Sequence, residues 1–470
     1  MKVTMQTKWT AQAICQACGG VLLGNSDVMA FGLCTDSREA DESTVFVAMR
    51  GERVNGHDYI GAARANGCRI VLCEAPSNET GLTHIIVDDS EAALLRLAAA
   101  YRETLTCKAV GVTGSVGKTT TKEMIASVLS VRSSVYRSEG NHNSVIGMPL
   151  SVMEIDRDHT YAVLEMGMSG LGEIERMSDC ATPDIAVITN IGTSHMEMLG
   201  SRENICRAKL EILSGLRKGG VLICNGDEPL LSGIGGKDYR TITVSIFSEK
   251  ASLYAKNIRI EDDGTYFDAV WEGRTYPDMH VRVQGRHNVY AALYAFAVGM
   301  VEGFSAEEIR AGLLEFSSVG MRQNIYTYRG FTVIEDCYNA SPESMRAALD
   351  VLVGCARRAG GKSVAVLGEM LELGTQSDNL HRAVGAYAAE CGVDLLLTLG
   401  HGSEMIAKGA IEAGLSSEHI DVNNDIENVS HTAESLLRMA QSGDVILFKA
   451  SRSIRMERVL ACWKLQFEER

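Results

Sequence analysis

The segment Thr113-Gly-Ser-Val-Gly-Lys-Thr-Thr120 limits what this chain can fold into more than any other stretch. It follows the apolar run 109–112, which predicts a short buried strand, and it precedes 122–130, which has the pattern of a helix. A strand, a glycine-rich turn and a helix in this order form a cradle in which backbone N–H groups and the helix N-terminus face an anion. The segment therefore predicts an α/β unit that binds a nucleoside triphosphate.

Two side chains of this loop are expected to act on the nucleotide directly. Lys118 would reach the β- and γ-phosphates, and Thr119 would offer its hydroxyl to Mg²⁺. The common form of the loop has a glycine where this chain has Val112, so the match is the shorter Gly-x-x-Gly-Lys-Thr of residues 114–119. A glycine-rich turn without a ligand is the alternative, and the strand and helix on either side argue against it.

Length and charge exclude several classes of protein. At 470 residues the chain is long enough for about three domains. A formal net charge of −15 disfavours non-specific nucleic-acid binding. No run approaches the roughly 20 apolar residues of a membrane span, the N-terminus does not have the pattern of a signal peptide, and 13 scattered cysteines suit a reducing compartment. We therefore expect a cytoplasmic protein that has no nucleic-acid partner and no membrane span, and we expect a monomer.

Alternating apolar runs and helical patterns divide the chain into three α/β units. Residues 1–105 predict a small α/β domain, and residues 106–318 predict a mostly parallel, doubly wound sheet with antiparallel strands within 240–285. Residues 319–470 predict a Rossmann-like α/β domain, which lacks G-x-G-x-x-G and so gives no sign of a dinucleotide. The segment 317–321 is the expected hinge between the second and third units.

Polar residues follow the strands of the central unit, at the edge of the sheet where ligands bind. Glu165 ends the strand 161–165 beside the phosphate loop, so we expect it to hold Mg²⁺ rather than to be a solvated acid or a helix cap. His195 follows the next strand, where it can ligate a metal, contact phosphate or be an ordinary loop residue. Spacing does not single out Lys209, which can be a solvated charge or a neighbour of Glu211.

Further candidates lie in the outer units. Asp336 and Asn339 follow the first predicted strand of the third unit, where they either contact a nucleotide across a cleft or only form a turn. Arg322 lies just past the hinge, where domain closure could bring it onto a phosphate as an arginine finger. The polar loops 35–38 and 51–58 of the first unit could bind an anion or a sugar, although turn formation is the simpler explanation.

In this order, the segments resemble the ATP-dependent Mur ligase family over nearly the whole chain. The resemblance implies an acid–D-amino-acid ligase that forms an amide through an acyl phosphate in peptidoglycan precursor synthesis, and hence in cell-wall biogenesis, cell shape and division. The motifs at 336–345 and 367–374 point to the family member that adds D-alanyl-D-alanine to UDP-N-acetylmuramoyl-tripeptide. The matching motifs lie at 113–119, 139–149, 165–167, 189–195, 285–288, 336–345, 367–374 and 449–452.

The resemblance also implies roles for the units and for single residues. The first unit would bind the UDP end of the substrate, the second ATP and metal, and the third would close on ATP and admit the dipeptide. Lys209 matches a lysine that is carbamylated in the family. Two Mg²⁺ ions are therefore expected, one held by Thr119 and Glu165 and a second near His195 and the carbamylated Lys209. The implied catalytic residues are Lys118, Lys209, His195 and Arg322. The implied nucleotide contacts are Gly114, Ser115, Gly117, Lys118, Thr119, Thr120, Asn288, Arg322, Asp336 and Asn339. The implied substrate contacts are Ser37, Arg38, Asn55, Gly56, His57, Asn141, Ser451 and Arg452.

Two other functions remain open at this point. A sister ligase that adds a single amino acid would share most of these motifs, although those of the third unit argue against it. A nucleotide-switched binding protein would use the same phosphate loop to drive closure and would form no amide.

Overall fold

Three β-sheets, each with helices packed against it, follow one another along the chain. The structure is a computed structural model that describes residues 1–51 and 54–468, so the last two residues of the predicted third unit lie outside the described residues. The predicted α/β class with three domains is confirmed. The boundaries at residues 105 and 318 stay predictions.

The first sheet has six strands in the order β1-β3-β4-β5-β6-β2. Its middle strands β4 and β5 are short apolar runs that are buried along their whole length, as parallel strands covered on both faces must be. The elements are β1 (Lys2–Thr10), α1 (Ala11–Cys18), β2 (Val21–Leu23), β3 (Met29–Cys34), β4 (Thr44–Val47), α2 (Ile60–Ala65), β5 (Ile70–Cys73), β6 (Thr83–Ile86) and α3 (Ser90–Glu103).

The central sheet has nine strands in the order β15-β14-β13-β12-β11-β10-β7-β9-β8. Only β13 to β15 pair antiparallel, and β12 is parallel to both of its neighbours, which corrects the wider antiparallel region predicted for 240–285. The elements are β7 (Lys108–Thr113), α4 (Lys118–Ser130), β8 (Val135–Arg137), α5 (Gly147–Met153), β9 (Tyr161–Glu165), α6 (Glu173–Ala181), β10 (Ile185–Ile188), α7 (Met196–Leu199), α8 (Arg202–Leu210), β11 (Val221–Asn225), β12 (Arg240–Ser245), β13 (Leu253–Glu261), β14 (Gly264–Trp271), β15 (Arg274–Val281), α9 (Arg286–Val301) and α10 (Ala306–Glu315).

The third sheet has six strands in the order β16-β17-β21-β18-β19-β20, and only β16 and β17 pair antiparallel. Its first helix begins at Pro342 after a Ser341 cap, where proline loses no helical hydrogen bond. The elements are β16 (Asn324–Tyr328), β17 (Phe331–Glu335), α11 (Pro342–Ala359), β18 (Ser363–Gly368), α12 (Ser377–Cys391), β19 (Leu395–Leu399), α13 (Glu404–Glu412), β20 (Ile420–Asn423), α14 (Val429–Met439), β21 (Val445–Lys449) and α15 (Glu457–Glu468).

The first and central units share one hydrophobic core, whereas the third unit has cores of its own. At the junction of the first two, Arg102 of α3 is buried and donates from Nε to the Ala181 carbonyl (2.9 Å) and from Nη2 to the Cys107 carbonyl (3.0 Å). These bonds satisfy carbonyls that burial would otherwise leave without donors. No helix within the described ranges is long and apolar enough to cross a membrane.

Candidate functional site

The glycine-rich loop after β7 is packed tightly against the segment that follows β10. The Val116 amide donates to Asn190 Oδ1 (2.9 Å), and the Ser115 amide donates to the Asn190 carbonyl (3.1 Å). Gly114 has φ of 142°, and a Cβ there would lie 1.9 Å from Thr189 Oγ1. Only glycine fits this position, because a side chain would meet both steric overlap and backbone strain.

The phosphate-loop lysine is held by the loop itself. Helix α4 begins at Lys118 after Gly117, whose φ of 81° turns the chain into the helix. Lys118 Nζ donates to the Gly114 carbonyl (2.8 Å). Burial lowers the pKa of Lys118, and the nearby Glu165 carboxylate opposes this shift. The loop thus holds the Lys118 amino group beside the position at which this motif binds phosphates.

Glu165, at the end of β9, is almost completely buried and fully engaged by polar partners. Its Oε2 accepts from Thr119 Oγ1 (2.8 Å), and its Oε1 accepts from Asn143 Nδ2 (2.7 Å). Its amide donates to Ser138 Oγ (3.1 Å). Sequence reasoning missed the roles of Asn143 and Ser138, although Asn143 lies in the 139–149 motif. The pairing of a carboxylate with a hydroxyl gives a set of hard oxygens, which is the chemistry Mg²⁺ prefers.

Lys209, near the end of α8, has the most unusual environment in the site. Its side chain has no exposed surface, and its Nζ has no hydrogen-bond partner. Burial lowers its pKa well below the ordinary value, and the nearby Lys118 lowers it further. Glu173, Glu165 and Glu211 oppose this shift. Burial without a partner therefore favours the neutral amine of Lys209, which is a nucleophile, over its ammonium form.

The Lys449 ammonium group holds the Asp336–Asn339 turn of the third unit together. Lys449 Nζ donates to Asp336 Oδ2 (2.6 Å) and to the Asn339 carbonyl (3.0 Å), and its side chain is almost completely buried. The Arg322 guanidinium lies over the Tyr338 ring, 3.9 Å from its centroid. No individual role was predicted for Lys449, although it begins the 449–452 motif.

Asn288, in the first turn of α9, connects the central and third units. Its Nδ2 donates to Gln323 Oε1 (2.7 Å) and to the Gln284 carbonyl (2.9 Å). The backbone N–H of Gln323 in turn donates to Asp336 Oδ1 (3.3 Å). Gln323 was not predicted, and it links two residues that were.

Two carboxylates of the third unit reach the loop after β10. Glu372 Oε2 lies 2.6 Å from His195 Nδ1, and this hydrogen bond lowers the pKa of Glu372. Thr193 Oγ1 donates to Glu343 Oε1 (3.1 Å). Both carboxylates lie in the motifs 336–345 and 367–374, which is the signal that could have pointed to them.

A cavity of about 520 Å³ lies between the central and third units. No three His, Cys, Asp or Glu side chains in the described part of the chain form a metal site by themselves, so a metal here would also need hydroxyl, phosphate or modified-lysine oxygens. The roles of the lining residues remain predictions. The predicted residues that line the cavity are Ser115, Gly117, Lys118, Thr119, Thr120, Asn141, Glu165, His195, Asn288, Arg322, Asp336 and Asn339.

The other predicted residues do not line this cavity. Gly114 and Lys209 lie next to residues that do, as described above. Ser451 Oγ accepts from the Leu371 amide (2.9 Å), and half-exposed Arg452 pairs with Glu457 (2.9 Å). The remaining ones, Ser37, Arg38, Asn55, Gly56 and His57, belong to the first unit.

Asn55, Gly56 and His57 of the predicted loop 51–58 are tightly held, whereas residues 52 and 53 of that loop lie outside the described residues. His57 Nε2 accepts from the Glu74 amide (2.9 Å), so Nδ1 carries the proton and donates to Asn55 Oδ1 (3.0 Å). A Cβ on Gly56 would lie 2.7 Å from both Met49 N and Met49 O, so only glycine fits. Such a loop presents fixed polar groups.

The second predicted loop of the first unit exposes a cation. Arg38 is 86% exposed on its side chain and donates from Nε to Asp36 Oδ1 (2.9 Å), which lowers the pKa of Asp36. The Ser37 carbonyl accepts from Asn66 Nδ2 (2.8 Å), which ties the loop to the end of α2. Nε and Nη2 of this guanidinium bond to the Asp36 carboxylate, so an anionic ligand would bind at the exposed Nη1 or displace Asp36.

Family comparisons agree with this architecture. The family model described as Mur ligase family, catalytic domain, matches residues 31–103. Mur ligase middle domain matches residues 112–299, and Mur ligase, glutamate ligase domain, matches residues 321–452.

Individual proteins are similar over most of their length. A Bacillus subtilis (strain 168) protein named UDP-N-acetylmuramoyl-tripeptide--D-alanyl-D-alanine ligase is 38% identical, over 91% of this chain and 92% of its own. A crystal structure of MurF from Acinetobacter baumannii has a TM-score of 0.90 at 30% identity, covering 98% of this chain and all (100%) of that one. The MurF ligase of Thermotoga maritima, solved in complex with ADP, has a TM-score of 0.83 at 28% identity, covering 93% and 98%.

Proposed function

This chain belongs to the Mur ligase family, and we propose that it uses ATP to join D-alanyl-D-alanine to UDP-N-acetylmuramoyl-tripeptide. The names of its relatives support this activity, and the Thermotoga maritima complex with ADP supports ATP as the nucleotide. The observation that carries the proposal is the cavity in which Lys118, Thr119 and Glu165 face Asp336 and Arg322 of another unit.

We assign one binding task to each unit. Residues 1–105 bind the UDP end of the substrate, residues 106–318 bind ATP and metal, and residues 319–470 close on ATP and bind the dipeptide. The hydrogen-bonded ring of His57 and the exposed Arg38 support the first assignment. Ser451 and Arg452, together with Asn141, are proposed to contact the peptide end. A monomer in the cytoplasm stays our expectation.

The first step activates the tripeptide carboxylate. A carboxylate oxygen attacks the γ-phosphorus of ATP, an O–P bond forms, and the bond from that phosphorus to the bridging oxygen of ADP breaks. This transfer needs charge neutralisation and in-line positioning more than it needs a base. Lys118 exchanges its loop carbonyls for phosphate oxygens, and Arg322 adds a second positive charge from the third unit.

The residues at the cavity fit Mg²⁺, which neutralises phosphate charge when it is bound. The hydroxyl of Thr119 and the carboxylate of Glu165 are 2.8 Å apart and supply hard oxygens for one ion. His195 and a carbamylated Lys209 are proposed to hold a second ion.

Lys209 fits carbamylation for a specific chemical reason. Addition of CO₂ needs a neutral amine, whose nitrogen lone pair forms the N–C bond while one proton is released. The buried Nζ without a partner and with a lowered pKa meets that requirement. The product is an anionic oxygen group at a position where the free lysine has only a neutral nitrogen.

The second step forms the amide. The neutral amine of D-alanyl-D-alanine attacks the carbonyl carbon of the acyl phosphate and a C–N bond forms. The C–O bond to phosphate breaks, and the nitrogen releases one proton as inorganic phosphate leaves. Contacts between the units around the cavity, such as those of Glu343 and Gln323, limit access of water to the acyl phosphate.

The test replaces Lys118 with alanine and follows the amide product by mass spectrometry. Lys118→Ala should abolish the product, and Lys250→Ala, a change at an exposed lysine of the same unit, should not. Normal product formation by Lys118→Ala would overturn the proposal. An amide formed with a single amino acid in place of the dipeptide would favour the sister ligases, and ATP turnover without any amide would favour a switch.

A further inference from the structure

Glu372 makes the most direct contact between the third unit and a proposed metal-binding side chain. Its carboxylate lies 2.6 Å from His195 Nδ1, and its carbonyl accepts from the Glu197 amide (3.1 Å). A Cβ on Gly374 would lie 3.0 Å from the Glu197 Cα, so the segment around Glu372 touches the first turn of α7 through backbone as well as side chain. This segment of the third unit therefore packs directly against the segment of the central unit that carries His195.

The loop that carries Glu372 is anchored within its own unit. The Met370 amide donates to Nε2 of His381 (2.9 Å), a fully buried residue, and the Leu371 amide donates to Ser451 Oγ (2.9 Å). Glu372 itself has φ of 65°, a conformation that a non-glycine residue keeps only when its surroundings impose it. The backbone that carries the carboxylate is thus held at a fixed place, and the half-exposed side chain reaches from it to His195.

His195 is equally constrained and has one ring nitrogen left to use. It has φ of 63° and stands at the start of α7. Its ring lines the cavity, whereas Glu372 does not. With Nδ1 donating to the carboxylate, Nε2 is the nitrogen that a ligand can use. A carboxylate on the far nitrogen of a metal-binding histidine fixes the tautomer and the orientation of the ring.

We propose that Glu372 is a positioning residue, which orients His195 toward the cavity only while the third unit is docked on the central one. This inference rests on the proposed metal role of His195. It adds a physical link between domain closure and metal affinity, because the group that orients the ligand comes from the unit that is proposed to close on ATP. Glu372 acts through His195 and has no contact of its own with the cavity.

The experiment measures Mn²⁺ affinity by electron paramagnetic resonance, with ADP present and without turnover. Glu372→Ala should weaken Mn²⁺ binding by about tenfold to a hundredfold, which is the usual effect of removing such a partner. Glu372→Gln should fall between the alanine variant and the wild type, because its amide oxygen still accepts from Nδ1 but carries no charge. Thermal unfolding of each variant checks that it is folded.

Asp262→Ala is the matched control. Asp262 also pairs across the two units, with Arg358 Nε at 2.8 Å, but it does not line the cavity or contact His195. Its removal should leave Mn²⁺ affinity unchanged. Equal losses in Asp262→Ala and Glu372→Ala would overturn the positioning role, because any contact between the units would then serve.

His195→Ala separates this inference from the proposed function. If His195→Ala weakens Mn²⁺ binding and Glu372→Ala does not, the positioning role is wrong and the metal role of His195 stands. If neither change affects binding, both the metal role and the positioning role are wrong.

Discussion

Replacing Lys209 with methionine should reveal a neutral lysine in the folded protein. The side chain has no exposed surface, its Nζ has no partner, and burial lowers its pKa well below the ordinary value of about 10.5. The folded protein then holds an amine over a pH range in which the unfolded chain holds an ammonium. Methionine has a similar length and cannot titrate, so Lys209→Met removes the proton and keeps most of the packing.

The sign and size of the effect follow from proton linkage. Between the folded-state pKa of Lys209 and about 10.5, the unfolded chain binds one proton more than the folded protein, so stability rises with pH. Below this pH range, the free energy of unfolding is lowered by the full cost of burying the Lys209 amine. Above about pH 10.5 the group is neutral in both states, and this cost is gone. The slope is about 1.4 kcal/mol for each pH unit. At about 2–4 °C per kcal/mol for a unit of this size, the wild-type midpoint should gain roughly 3–6 °C per pH unit relative to Lys209→Met.

The assay compares thermal unfolding midpoints of the two proteins in CO₂-free buffers from neutral pH to about pH 10. Lys209→Met should be the more stable protein at neutral pH, and the difference should shrink as the pH rises. Lys122→Met is the control, because Lys122 is equally buried but donates to the Ser138 carbonyl and pairs with Glu123 at 3.1 Å. Loss of that ion pair should lower the midpoint instead of raising it.

Bicarbonate supplies a second arm of the same assay. CO₂ that adds to the folded amine stabilises the folded state by mass action, so bicarbonate should raise the wild-type midpoint and leave Lys209→Met unchanged. Parallel pH curves for wild type and Lys209→Met would show that Lys209 stays charged when folded. That result would refute the neutral amine and, with it, the chemical basis for carbamylation.

Three further predictions concern the glycine-rich loop, the segment after β10 that packs against it, and the first unit. Gly114→Ala should abolish ATP binding in a calorimetric titration, because its Cβ would lie 1.9 Å from Thr189 Oγ1, whereas Gly140→Ala, also at positive φ but facing open space, should bind normally. Tyr294→Phe should lower the free energy of unfolding by about 1–3 kcal/mol in a denaturant titration, because the Thr189 carbonyl loses its buried donor at 2.6 Å. His57→Phe should raise KM for the UDP-linked substrate and leave KM for ATP unchanged, because both hydrogen bonds of its ring lie in the first unit.

The strands that the sequence revealed are those at the middle of each sheet. Strands such as β7 and β10 are buried on both faces and therefore read as continuous apolar runs. Edge strands such as β1, β16 and β20 contain no continuous apolar run, because solvent on one side of an edge strand permits a loop-like composition.

Some residues of the candidate site could likewise be predicted from the sequence, and others could not. Lys118, Glu165 and His195 could be predicted because each follows a strand of one parallel sheet, and such strands end at one edge. The isolation of Lys209 could not be predicted, because it depends on what packs around α8 rather than on the residues beside it in sequence. The contact of Glu372 with His195 joins two units, and no local pattern encodes the distance between them.

The valine at position 112 fits the geometry of the shortened loop. Strand β7 lies between β9 and β10, with the Cα of Val112 opposite Glu165 on one side and Val187 on the other. Its side chain is fully buried in the hydrophobic core of the sheet, so it cannot reach a nucleotide. The turn away from the sheet comes only after Thr113, whose hydroxyl donates to the Met166 carbonyl (2.8 Å). Glycine is therefore needed at 114 and 117, where φ is positive, and a strand residue with a good β propensity serves at 112.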